Sequence, residues 1–231
     1  MSAVDESRLP SPETGVQEFR AAMDAWDVER ADRATATITR VRASDEIFEL
    51  FAEYAVRDFR SIGHKAIYLA NSYRTLETIG WHHAEHVLRS LSYALLNHVG
   101  EPNPATSDLT PDRDGRSNWK LASQLRDDWM AGSPDEGATI ELLESLRRDS
   151  STDVSQLVFE QLQRGVATGS IFNAMFVFAS ELTMRQPGIV PLHAVTTTNA
   201  MNYIFRKVRD PKTRAFVLLQ NAAFLAHFLT E

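Results

Sequence analysis

Residues 170–185 read SIFNAMFVFASELTMR. Apolar side chains fall on nearly every face of this stretch at helical spacing, and a helix apolar all round belongs in an interior. Extended to Gly165–Met184, the run approaches the roughly 20 residues that cross a bilayer. It carries Asn173, Ser180 and Glu181, however, and the rest of the chain offers no second such run. The expectation is therefore a buried central helix and no membrane span. Gln186-Pro187-Gly188 stops it, because proline cannot continue a helix and glycine readily leaves one.

Two helices are expected beyond this stop, over Leu192–Val208 and Pro211–Thr230. Asp210 and Pro211 read as N-cap and first helical residue of the second. On the other side lie three shorter helices with sparser apolar positions, near Trp119–Met130, Glu136–Arg148 and Val154–Gly165. Residues 101–118, EPNPATSDLTPDRDGRSN, read as a polar loop or lid. Before it, His82–His98 forms a helix with Ala84, Val87, Leu88, Leu91, Ala94, Leu95 and His98 inward. The preceding helix opens at His64, carries His64, Ile67, Tyr68, Asn71 and Thr75 on one face, and ends near Gly80. Ile47, Phe48, Phe51, Ala55 and Phe59 mark another helix, with Ser44 at its start. Val16 to Val41 keeps one helical stripe throughout. Residues 1–15 are polar, contain Pro10 and Pro12, and read as a disordered lead-in. The expected fold class is all-α: a single-domain helical bundle of about eight helices over residues 16–231.

Composition narrows function by exclusion. The chain has 231 residues and no cysteine, which removes disulfides, thiolate zinc sites, iron–sulfur clusters and thiol nucleophiles. Any metal must be held by nitrogen and oxygen. A net charge of -7, with basic residues scattered, argues against nucleic acid and anionic membranes as partners. The first residues lack the basic start and apolar core of a signal peptide, so a cytoplasmic location is the expectation. A homo-oligomer is left open. No GxGxxG, P-loop or GxSxG is present.

Four features bear chemistry. In GWHHAEH, residues 80–86, His82 and His86 stand at i,i+4, and His83 leads an inward row through Val87 and Leu91. Imidazole beside carboxylate suits iron, zinc, copper or manganese; the plain alternative is a surface helix start with Glu85 paired to Arg89. His64 opens an apolar helix that also carries Asn71, and two polar groups on a buried face need partners. Glu181 lies on the most apolar helix, where an unpaired carboxylate costs several kcal/mol or turns neutral; an arginine partner is the structural alternative. His193 precedes Thr196, Thr197 and Asn199, with hydroxyls free for use or for capping.

One convergent polar site would explain His64, Glu181 and His193 together. Two histidines and a carboxylate match the ligand set of non-haem iron(II) oxygenases. The metal-ligand candidates are therefore His64, His193, Glu181, His83 and His86, with Glu181, Asn71 and Thr197 as catalytic candidates and the substrate a small apolar organic molecule. Two other classes stay open: a haem- or apolar-ligand-binding protein without catalysis, and a helical partner protein whose histidines are core residues.

GHKAIYLANSYRTLE (63–77) with VLRSLSYALL (87–96), and LHAVTTTNAMNYIF (192–205), are similar to stretches of the questin oxidase-like family. The resemblance implies a helical fold, an oxidative ring opening of the Baeyer–Villiger kind on an anthraquinone-like substrate, and NADPH as reductant. Residue by residue it carries over to His64 and His193.

Overall fold

The computed structural model describes residues 3–97 and 100–229, and its regular elements are helical. One isolated parallel bridge, Ser133 to Val166, is its β contact. Eleven α-helices are described, against about eight expected. Part of the difference comes from Val16–Val41, which the stripe alone reads as continuous. The chain turns at Trp26, whose φ of 61° closes α1 (Gly15–Ala25). Asp27 then caps α2 (Val28–Val41) by accepting from the Arg30 N–H at 3.0 Å. The lead-in, expected to be disordered, holds a 3-10 turn at Glu6–Arg8. Arg40 grips Glu6 at 2.8 Å, and the Thr37 hydroxyl donates to the Pro10 carbonyl at 3.1 Å.

α3 (Ser44–Ala55) leads through residues 56–63 into α4 (His64–Ile79), then α5 (Ala84–Leu95). His98, expected on the inner face of that last helix, lies outside the described residues. α6 (Thr110–Ala122) starts inside the stretch expected to be a loop, residues 101–118, and ends at Ala122 within the helix expected over Trp119–Met130. Pro111 opens it, and its buried face is Asp112, Asp114, Gly115 and Asn118. Each polar group there is met: Arg60 reaches Asp112 at 2.6 Å, His227 reaches Asp114 at 2.8 Å, and Asn118 donates to Gln220 at 2.9 Å. A helix that buries polar residues against polar partners leaves no apolar period to read.

α7 (Glu136–Leu146) and α8 (Ser151–Gln163) precede α9 (Thr168–Arg185), α10 (Ile189–Lys207) and α11 (Pro211–Ala226). The most enclosed of these is α11, and not α9 as expected. Every residue from Ala215 to Ala226 is buried, and α11 packs on α6, α8, α9 and α10. Its large apolar side chains contribute roughly 1.5–3 kcal/mol each on burial. Gln220 and Asn221 are tolerated among them because Gln220 donates to the Val56 carbonyl at 2.6 Å and Asn221 accepts from Thr198 at 3.3 Å. By contrast α9 leaves a stripe through Asn173, Val177, Ser180 and Met184 in solvent. Among the described residues no helix is long and apolar enough to cross a membrane.

Candidate functional site

The connection from α3 to α4 sets the site. Lys65, the second residue of α4, points inward and pairs with Asp58 at 2.8 Å, and both side chains are essentially enclosed. Pulling Lys65 in turns α4, so that its buried face is Lys65, Ala66, Leu69, Ala70, Tyr73 and Leu76. The face expected inward, with Tyr68, Asn71 and Thr75, is turned to solvent. Asn71 accepts from Arg74 at 3.2 Å there. His64 sits at the boundary, half-buried.

Two consecutive left-handed residues precede His64: Ile62 at φ 52° and Gly63 at φ 76°. A positive φ is rare for a β-branched residue and persists only where surrounding contacts enforce it. Here the enforcing element is α10. Fully buried Thr197 donates to the Ile62 carbonyl at 3.3 Å. Its Oγ1 lies only 2.3 Å from where a Cβ on Gly63 would stand, so the Thr197 side chain packs on the Gly63 backbone at a point that admits glycine alone. Thr197 is thus a positioning residue. Its neighbour Thr196 bonds the Leu192 carbonyl at 3.1 Å, one turn back.

This crossing brings His64 against His193, 129 residues later, with Nε2 to Nε2 at 2.9 Å. The rings meet edge to face, with centroids 4.5 Å apart at 75°. His64 Nδ1 lies 2.5 Å from the Ser61 carbonyl, and His193 Nδ1 lies 2.5 Å from the Ile189 carbonyl. A carbonyl only accepts, so each Nδ1 is placed to donate to its carbonyl, and each Nε2 is left facing the other ring. At 2.9 Å the two Nε2 atoms can share one proton in a hydrogen bond. Anchoring the distal nitrogen on a carbonyl is also how metal-binding histidines are oriented. Tyr68 stacks on His64 with centroids 5.6 Å apart. Exposed Ile62, Ile189, Val190 and Leu192 lie on the same two chain segments. Tyr68 is legible in the sequence on the face of His64 but without a role at the site, and the two carbonyls are not legible at all; the Ile-Gly-His step was the available signal.

The remaining candidates lie elsewhere. Glu181 is held by Arg147, Nε to Oε2 at 3.0 Å, with Arg185 at 3.7 Å. It is a partly exposed surface residue, because the stripe of α9 that carries it faces outward. The Arg147 hydrogen bond holds its carboxyl below the usual range, burial acting the other way. That depressed value contributes stability above the unfolded-state pKa of about 4.3, lost as pH falls through the folded value. With both partners partly exposed, Glu181→Gln is expected to cost at most about 1 kcal/mol at pH 7 by urea denaturation. It should leave any metal content unchanged; loss of metal would return Glu181 to the site.

His82 and His83 occupy a 3-10 turn, Trp81–His83, with rings 4.0 Å apart. The tighter turn breaks the helical phase that had pointed His83 inward, and both it and His86 are exposed. Glu85 pairs with Arg40 at 2.7 Å and Arg89 at 3.8 Å. Among the described residues no group of three or more histidine, aspartate or glutamate side chains is placed to hold a metal ion. The set His64, Glu181, His193 is therefore not assembled, and the site is a histidine pair. Compared with models of known protein families, with curated proteins and with solved structures, the chain matches none.

Proposed function

We propose that the His64–His193 pair is the working centre of an oxidoreductase acting on an apolar organic molecule, in a chain whose helices form one domain. The observation that carries this reading is the 2.9 Å approach of the two Nε2 atoms, each ring locked by its Nδ1 on a backbone carbonyl. These two histidines come from the two separate stretches that resemble the questin oxidase-like family. A divalent transition metal suits the pair through the two Nε2 lone pairs, and would supply Lewis acidity and redox chemistry. Substrate and water would complete its coordination. Iron is the first candidate, and the resemblance implies NADPH as the source of electrons. This chain's own residues do three things. Ser61 and Ile189 fix the tautomers through their carbonyls. Tyr68 covers one face of His64. The apolar side chains of Ile62, Ile189 and Leu192 offer a surface for an apolar substrate to settle on. Without a metal, the pair can hold one proton between its rings and pass it at Nε2.

Elemental analysis and a UV–visible spectrum of protein purified without chelators test the reading. About one iron, copper or manganese per chain is expected, falling by at least about tenfold in both His64→Ala and His193→Ala, because a two-ligand site cannot spare either. Metal retained in both variants, or a metal-free native protein that gains none on reconstitution, would overturn the metal centre.

A further inference from the structure

A second site stands apart from the histidines. A cleft of about 450 Å³ opens between α1, α3, α6 and α11. That is within the usual range for small-molecule pockets, roughly 300–1,000 Å³. Its aromatic walls are Tyr54, Trp119 and Phe216, and neither His64 nor His193 lines it. Trp119 and Phe216 brace each other edge to face, with centroids 5.1 Å apart at 82°.

The charges in the cleft do not balance by contact. Glu53 is taken by both terminal nitrogens of Arg20, and Asp112 by Arg60 at 2.6 Å. Asp24, mostly exposed, stands 3.5 Å from Arg57. Arg57 lies between the rings of Trp26 and Tyr54, at 5.2 and 4.9 Å from their centroids, and donates to the Met23 carbonyl at 3.0 Å, while its buried Nε has no hydrogen-bond partner among the described residues. Burial holds its guanidinium below the ordinary value, with Asp58 and Asp24 acting the other way. Among the described residues Arg116 bonds only the Pro104 carbonyl, at 2.8 Å. Arg116 and Lys120 have no carboxylate partner among the described residues, and they stand one turn apart on α6, both lining the cleft. In a chain of net charge -7, these two uncompensated cations, with the Lys212 ammonium 3.7 Å over one face of the Trp119 ring, form a local positive site beside the aromatic walls.

We infer that this cleft binds a small aromatic carboxylate, its ring against Trp119, Tyr54 and Phe216 and its carboxylate on Arg116 and Lys120. A guanidinium fork matches a carboxylate in two parallel bonds, and the ammonium adds a second point of charge. The ring gains from the apolar walls. The inference does not rest on the metal reading.

The test is calorimetric titration of the whole protein with 2-naphthoate and with neutral 2-naphthalenemethanol, with tryptophan fluorescence followed in parallel. Saturable naphthoate binding with Kd below about 1 mM is expected, with the alcohol at least about tenfold weaker. Arg116→Gln and Lys120→Ala should each weaken naphthoate about three- to tenfold and leave the alcohol unchanged. Lys120 is exposed, so its variant tests the site without disturbing the fold. His193→Ala should bind naphthoate as the native protein does. No saturation by about 1 mM, equal affinity for the alcohol, or no effect of either cation variant would overturn the inference. So would loss of binding in His193→Ala, which would place the ligand at the histidine pair.

Discussion

Replacing Lys65 with methionine is expected to destabilise the protein by about 3–5 kcal/mol, the cost of leaving one member of a buried ion pair without the other. Methionine keeps the aliphatic length, so the change isolates the charge. In the native chain the Lys65 ammonium meets Asp58 at 2.8 Å, both side chains being at most 2% exposed, and lies 4.9 Å from the Trp26 ring centroid. Without it, Asp58 keeps only the Arg60 N–H at 3.3 Å among the described residues. A carboxylate so enclosed must take up a proton or draw in water, and either route costs folding free energy. Urea denaturation reads the effect as a lower midpoint at unchanged slope. Lys65→Met with Asp58→Asn removes both charges and should recover part of the loss, since the native pair itself is a weak net stabiliser. A loss under about 1 kcal/mol for Lys65→Met alone would show that the pair is hydrated and does not orient α4.

Lys65 also explains what could and could not be read from the sequence. A lysine beside an apolar helix is normally placed outside, and with Lys65 outside, the inward face becomes His64, Ile67, Tyr68 and Asn71. Its partner Asp58 lies in a connection without periodicity, so nothing local signals the pairing, and the face inverts. α6 escaped for a related reason. Asp112, Asp114 and Asn118 look like loop residues until Arg60, His227 and Gln220 arrive from 52, 113 and 102 positions away. Helix class survived because apolar spacing over long stretches such as 170–185 is a local property. Asp210-Pro211 was readable for the same reason, and Asp210 does accept the Thr213 N–H at 2.7 Å. Glu181 was misplaced because mean apolarity hides which stripe of α9 is bare. His64 and His193 stood out as polar residues at apolar helix starts, but only the chain crossing at Gly63 puts their nitrogens together.

Gly63→Ala tests that crossing, with an expected loss of about 2–4 kcal/mol from two separable sources. The first is conformational. At φ 76° an L-residue is strained, and the preceding Ile62 already bears φ 52°. The second is steric. The new Cβ would stand 2.3 Å from Thr197 Oγ1, 2.5 Å from its Cγ2 and 2.9 Å from its Cβ. Thr197 is fully buried and β-branched, so it cannot swing aside, and α4 must lift from α10 instead. Adding Thr197→Ala to Gly63→Ala removes the two nearest atoms and should restore most of the steric part, Thr197 Cβ at 2.9 Å remaining, while leaving the conformational part. The histidine pair reports the same displacement independently of stability. Ring-nitrogen NMR should show Nδ1 protonated on both histidines in the native protein. In Gly63→Ala the His64 signals should move to those of a solvated ring, and any bound metal should be lost. If Gly63→Ala instead folds with native stability and unchanged ring-nitrogen shifts, the close approach of Thr197 does not hold His64 in place. The 2.9 Å contact between the two Nε2 atoms would then have to be set by the anchoring carbonyls of Ser61 and Ile189 alone.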